Sequence, residues 1–252
     1  MSLQELFAMI SQVLPGLDGK IAGHLGQSHP ITIDVDHEPA SAVRQLYQFL
    51  QSNYPEAGPH YWSCRCWNLL IWQPVYFCVL STHLAHCVPS LSGMKQTLHP
   101  GYVAGFSLPQ QTLHTAKNES LIKTAATNIV VLRDSLYIAL RKHIKLSEKL
   151  ANMLEADCVT SALLHAQQHR KTIPNNDIKY WSQQWFEALQ LPCADAVIEV
   201  KMEEQEPRLA LCRKSCCQHF RRADGEMCHD CPKRSMQERH RILRMAYGAD
   251  SD

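Results

Sequence analysis

Four cysteines fall within residues 216–231, in the order Cys216-Cys217, ten intervening residues, then Cys228-x2-Cys231. A C-x2-C pair alone is common to zinc knuckles, redox motifs and iron–sulfur sites. Four thiols at this density make a much stronger metal signal. A structural zinc site usually offers two C-x2–4-C hooks that close on one tetrahedral ion. Here a vicinal pair replaces the first hook. Adjacent side chains point to opposite sides of an extended backbone, so bringing both sulfurs to one ion demands a distorted turn. A binuclear [2Fe–2S] cluster takes ligands from a wider spread of directions, and four cysteines suit it in number. The pattern favours iron–sulfur. The alternative is a zinc-stabilised basic module that contacts nucleic acid or a partner protein.

The surroundings are basic. Between Arg208 and Arg244 the excess of Lys and Arg over Asp and Glu is +6, in a chain whose formal net charge is +1. Positive charge beside thiolates and sulfides stabilises a reduced, more anionic centre and attracts anionic partners. The bland alternative is that these cations only keep a solvated tail soluble.

The stretch R-K-S-C-C-Q-H-F-R, followed by D-G-E-M-C-H-D-C-P, closely resembles the C-terminal motif of the FhuF-like siderophore ferric-iron reductases. Arg213, Lys214, Ser215, Cys216, Cys217, Cys228 and Cys231 fall on the motif positions, and Phe220 and Arg221 are also similar. The WQP at 72–74 and the strand-turn-strand before the cysteines are similar as well, but far less specific. The resemblance implies a mostly helical body, a [2Fe–2S] cluster held by Cys216, Cys217, Cys228 and Cys231, and reduction of imported ferric siderophores in the cytoplasm. Ser215 and His229 would tune the cluster by hydrogen bonding to sulfur. Arg213, Lys214, Arg221 and Arg222 would meet an anionic siderophore or electron donor. No G-x-G-x-x-G or other nucleotide fingerprint occurs, so the electron must come from an external donor that the sequence does not identify. No nucleic-acid partner is expected under this reading.

Other residues with ligand chemistry have plainer explanations. Cys212 lies four positions before Cys216 and could substitute as a ligand, but the core of a hairpin is its better place. Cys64, Cys66, Cys78 and Cys87 read as small hydrophobes of a buried segment. His83/His86 and His165/His169 have helical spacing without an accompanying carboxylate motif, which favours ordinary core or surface histidines. Trp62, Trp67 and Trp72 read as helix core before they read as the lining of a siderophore pocket.

The elements that must position the cysteines are mainly helical. MSLQELFAMISQVLPG reads as an amphipathic helix opened by the capping-box pattern Ser2-x-x-Glu5 rather than as a signal peptide. ITIDV (31–35) alternates like a short strand, and 37–54 reads as a helix. Residues 61–88 form a nearly all-apolar segment, expected as buried helix broken or kinked at Pro74. GYVAGFSLP (101–109) reads as a strand pair or loop. Apolar residues recur at helical spacing over 119–154, with Asn118 as N-cap. Further helices are expected at 158–170 and from Pro174. AVIEV and RLALC flank a charged KMEEQEP turn, which predicts a β-hairpin feeding into the cysteines.

The expected fold is therefore mainly α with a minor β component. A helical body with a substrate pocket would occupy 1–192. A hairpin and [2Fe–2S]-binding region would occupy 193–252. The most apolar run, 69–80, is interrupted by Gln73 and Pro74 and falls short of the ~20 residues that span a bilayer. A soluble, cytoplasmic protein is expected, with peripheral membrane association left open. Eleven cysteines in a reducing compartment argue against a disulfide framework.

Overall fold

A computed structural model describes residues 1–23, 31–37, 39–192, 197–201 and 206–249. The chain order is helix α1 (Leu3–Val13), strands β1 (Gly19–Ile21) and β2 (Thr32–Asp34), helices α2 (Ala40–Asn53) and α3 (Gly58–Ala85), and strands β3 (Lys95–His99) and β4 (Tyr102–Leu108). Helices α4 (Asn118–Arg141), α5 (Glu148–His169) and α6 (Asn175–Ala188) follow. Strands β5 (Val197–Val200) and β6 (Arg208–Leu211) and helix α7 (Met236–Ala249) complete it. The mainly α class with minor β is what the sequence predicts.

The protein is organised around α3. Its polar and apolar residues show little sidedness, and most of its length is buried, from Tyr61 through Leu84. Helices α2, α4 and α5 pack around it, and α1 and β4 also contact it. Phe77 of α3 meets Phe106 of β4 at 4.9 Å and Phe7 of α1 at 5.6 Å.

The break expected at Pro74 does not occur; α3 continues as helix through it. Proline has no N–H, so the Leu70 carbonyl four residues earlier loses its helical donor. Gln96 of β3 supplies one instead, its Nε2 lying 3.0 Å from the Leu70 oxygen. Gln73 Nε2 in turn donates to Gln96 Oε1 at 3.0 Å. This buried amide pair locks the sheet to the helix at the point where the helix is weakest.

That sheet has the order β1-β4-β3-β2, with β1 parallel to β4 and the other pairs antiparallel. The strand read at 31–35 is β2. The GYVAGFSLP segment contains the single strand β4, whose partner β3 was not read from sequence. The capping box at Ser2 and Glu5 forms in α1.

The long helix expected over 119–154 is two helices. α4 ends at Arg141, and Ser147 caps a new helix by accepting from the Leu150 N–H at 3.3 Å. The apolar periodicity misleads here because Ile144 and Leu146 in the connection are also buried. The connection's carbonyls find side-chain donors. Tyr137 Oη donates to Leu146 at 2.9 Å, and Ser63 Oγ to Lys145 at 3.3 Å. The proposed N-cap Asn118 is the first residue of α4; Lys117 occupies the cap position without a side-chain bond. The helix expected at 158–170 is the second half of α5.

The hairpin forms as β5 and β6, with part of its charged turn (202–205) and its first residue, Ala196, outside the described residues. Leu209 and Leu211 of β6 join the main core, while Val200, Ala210 and Leu243 form a small second cluster with α7. Helix α7 lies in the region expected to hold only the hairpin and the cluster-binding segment, and no helix is predicted there. Ser235 starts it by accepting from the Glu238 N–H at 3.1 Å. Among the described residues no helix is long and apolar enough to cross a membrane.

Glu155 on α5 is fully buried, and neither carboxylate oxygen has a hydrogen-bond partner. Arg133 lies 3.8 Å away but also serves Asp134 and the Leu189 carbonyl. Burial outweighs that cation and raises Glu155 from an ordinary 4.5 to about 8. The folded protein thus keeps it protonated at neutral pH, whereas the unfolded chain ionises it. Its contribution to stability is complete below pH ~4.5 and is lost as pH rises toward 8. Glu155→Gln should flatten the fall in melting temperature across this window and raise it by a few degrees at pH 8. Parallel pH profiles for variant and wild type would refute this.

Candidate metal centre

After β6 the chain leaves regular structure and lays a thiol-bearing loop against α5 and the N-terminal end of α3. Asp157 of α5 receives it. Its Oδ1 accepts from the Lys214 N–H at 3.3 Å, and its Oδ2 accepts from the Ser215 hydroxyl at 3.2 Å. Arg213 reaches the other arm of the loop, its Nε 3.2 Å from Asp230 Oδ2.

The turn after the vicinal pair is unusual. Gln218 adopts a left-handed conformation at φ 60°, sparsely populated by non-glycine residues. Its N–H points to Cys216 Sγ at 3.4 Å. The next N–H, from His219, lies near Cys217 and favours its thiolate. Successive backbone donors thus face two successive sulfurs. A short 3-10 turn (His219–Arg221) follows, and the loop returns through Gly225, where any Cβ would collide with the His219 carbonyl. Ala223 N–H donates to Glu56 Oε1 at 3.0 Å, tying the loop to the turn before α3. Arg222 lies 4.1 Å over the Tyr54 ring.

The C-x2-C arm is held from the α7 side. Arg234 donates to the carbonyls of Cys228 at 3.2 Å and Met227 at 3.1 Å, and pairs with Glu238. Arg239 is buried and donates to the Arg213 carbonyl at 3.5 Å. Helix α7 therefore anchors both arms.

These supports bring all four cysteines together, as two thiol pairs. Cys216 Sγ and Cys231 Sγ are 4.0 Å apart. Cys217 and Cys228 are neighbours. The Cys228 thiol, the His219 N–H and the Arg213 guanidinium favour the Cys217 thiolate and hold it well below an ordinary thiol pKa, while Cys228 is pushed upward. Among the described residues no three Cys, His, Asp or Glu side chains converge as a ligand set for a single ion. Two pairs suit a centre with two irons, each taking two thiolates. Cys231 is buried, and the other three are half-buried.

A fifth thiol stands behind them. Cys64 of α3 is 1 % exposed, and its Sγ approaches the Cys216 carbonyl at 3.9 Å. Burial, with Cys217 and Cys216 beside it, pushes it up to about 12. Cys66, Cys78 and Cys87 are buried, as read from sequence. Cys212 is also buried, 3.5 Å from Lys214 Nζ.

Of the expected cationic residues, Lys214 and Arg221 are exposed, Arg222 is held by Asp224 and Tyr54, and Arg213 is partly buried between carboxylates. The histidines and tryptophans take structural places. His83 accepts from Trp185 Nε1 at 2.9 Å, and His165 Nε2 donates to the Val13 carbonyl at 3.1 Å. Trp67 is fully buried and bonds the Ala151 carbonyl at 3.0 Å. Trp62 and Trp72 bond the carbonyls of Tyr54 and Val103. An open groove of about 980 Å³ is lined by Gln167, Lys171, Asn175, Glu199, Arg208 and Tyr247, without any of the cysteines.

Asp157, Cys64, Glu56 and Arg234 were missed by sequence reasoning. Asp157 interrupts an apolar helix face, which is a signal for a buried acid but says nothing of its partner. Only Arg234 stands beside the motif in sequence.

Residues 213–233 match the family model described as the FhuF 2Fe-2S C-terminal domain. The cofactor this domain implies is a [2Fe–2S] cluster, and the two thiol pairs fit it. No solved structure matches the chain.

Cys228→Ser should abolish iron binding and visible colour while leaving the far-ultraviolet dichroism of the helices unchanged, because the core is upstream. Cys64→Ala should retain a full complement of iron. If iron is lost from the Cys64 variant and kept by the Cys228 variant, the ligand set is not the one drawn here.

Proposed function

We propose that the chain is a ferric-siderophore reductase in which Cys216, Cys217, Cys228 and Cys231 hold the [2Fe–2S] cluster. The observation that carries this reading is the match of residues 213–233 to the FhuF 2Fe-2S domain, with its four cysteines on one half-exposed, cationic loop where Cys216 Sγ and Cys231 Sγ lie 4.0 Å apart. A bound [2Fe–2S] cluster supplies the capacity to take up and pass on a single electron.

The chain's own residues position and bias that chemistry. The N–H groups of Gln218 and His219 face sulfur and stabilise negative charge there. Arg213 adds a positive charge from the interior side, held in place by Asp230. Lys214 and Arg221 are exposed and meet an anionic ferric chelate or an anionic donor; Arg222 keeps its charge at the same lip, on Tyr54.

The net reaction transfers one electron from an external one-electron reductant to siderophore-bound Fe(III). The products are Fe(II), the siderophore and the oxidised reductant. Siderophores enclose Fe(III) in hard oxygen donors, which hold the less charged Fe(II) weakly, so reduction is also release. Neither a nucleotide fingerprint nor a second redox motif supplies electrons from within the chain.

Anaerobically purified protein should be red-brown, with about two irons and about two sulfides per chain. After dithionite reduction and removal of excess reductant, adding a ferric siderophore should reoxidise the centre and release Fe(II) to a ferrous chelator. Stoichiometric zinc without visible absorbance would overturn the cofactor. A centre that stays reduced with every class of ferric siderophore would overturn the reductase.

A further inference from the structure

We propose that Asp157 of α5 is a positioning residue for the iron–sulfur centre, seating the thiolate loop on the helical body and lowering the reduction potential by its charge. The inference rests on the cluster reading above. It concerns a residue 56 positions upstream of the matched domain, which begins at Arg213.

The geometry is specific. Asp157 is 5 % exposed, so the carboxylate is nearly removed from water. Burying a carboxylate is unfavourable unless its oxygens are bonded. The two bonds it receives come from adjacent residues, the Lys214 backbone and the Ser215 hydroxyl. Ser215 immediately precedes Cys216, and it is itself buried. Both carboxylate oxygens therefore fix the backbone from which the vicinal cysteine pair departs. Nothing else on α5 offers a hydrogen bond to this stretch among the described residues.

The charges around Asp157 are few. Arg213 belongs to the loop, Asp230 lies on its other arm, and Cys158 and Glu155 share α5, with Tyr76 facing Cys158 from α3. Burial outweighs Arg213 and the two hydrogen bonds and lifts Asp157 to about 6, which leaves it mostly ionised at pH 8. Asp157 and Asp230 together exceed the single charge of Arg213 between them. Adding an electron nearby increases the repulsion with this excess negative charge. The arrangement has two separable parts, a mechanical one in the hydrogen bonds and an electrostatic one in the charge.

Two substitutions separate them. Asp157→Asn keeps an acceptor for the Lys214 N–H, and the Ser215 hydroxyl can rotate to accept from the new amide, so iron content should stay near wild type. Its loss of charge should raise the reduced-to-oxidised ratio about tenfold at fixed poise and pH 8, a shift of ~59 mV for one electron. Asp157→Ala removes both bonds, so it should lose iron severalfold faster to a chelator and show altered EPR g-values. Far-ultraviolet dichroism of both variants monitors the fold.

Wild-type protein that carries the cluster, beside an Asn variant of unchanged potential and an Ala variant of unchanged iron retention, would overturn the role of Asp157 and leave the cofactor reading intact. If either part alone is unchanged, the corresponding half of the proposal is wrong. An Ala variant that unfolds makes Asp157 a fold residue and overturns the mechanical half, while the Asn variant still decides the charge. Wild-type protein without an iron–sulfur spectrum overturns both the cofactor reading and this inference.

Discussion

Pro74 leaves the buried Leu70 carbonyl without its helical donor, and Gln96 replaces that donor from the neighbouring strand. An unpaired buried carbonyl costs on the order of 1–3 kcal/mol, enough to favour a break in the helix. Because the bond is made, α3 remains one element of 28 residues, about 42 Å long at 1.5 Å per residue. The sheet, α4 and α5 all pack on it. Its N-terminal end presents Cys64 to the Cys216 carbonyl and Tyr61 to His219, 6.2 Å apart between ring centroids. The amide pair thus fixes the relation between the core and the thiol loop across the length of the helix.

The loop itself has almost no regular structure. Beyond the short turn at His219–Arg221, its shape comes from side chains that belong to other elements: Asp157 from α5, Glu56 from the turn before α3, and Arg239 from α7. Arg234 contributes from the α7 side, at the end of the loop. Local hydrogen bonds replace a ladder or helix as the source of order. This suits a site where sulfurs must stay close without forming disulfides. The surroundings of Cys217, with Arg213 and the His219 N–H beside it, favour its thiolate, the state in which thiols bind metal.

Motif and class were legible in the sequence because both depend on local spacing. The four cysteines needed no fold to be counted, and local signals located both ends of α2 and the start of α6 closely. Errors arose where tertiary contacts decide. Ile144 and Leu146 are buried outside any helix, so periodicity ran through a real break. Pro74 sits inside a helix because a residue 22 positions away repairs the defect. Helix α7 carried a local signature, Ser235-x-x-Glu238, obscured by the surrounding basic residues. Asp157 could not have been assigned, since its partners are 57 and 58 residues further on.

The order of the elements along the chain has a biosynthetic consequence. Polypeptides emerge N-terminal end first, and domains begin folding during synthesis. Both α3 and α5, which together form the seat, precede Cys216 by dozens of residues. The residues of the receiving surface are therefore synthesised before the first of the paired thiols, whereas Arg234 and Arg239, which hold the loop from its far side, come after the last. The loop can be clasped from both sides only once the chain has been made through α7.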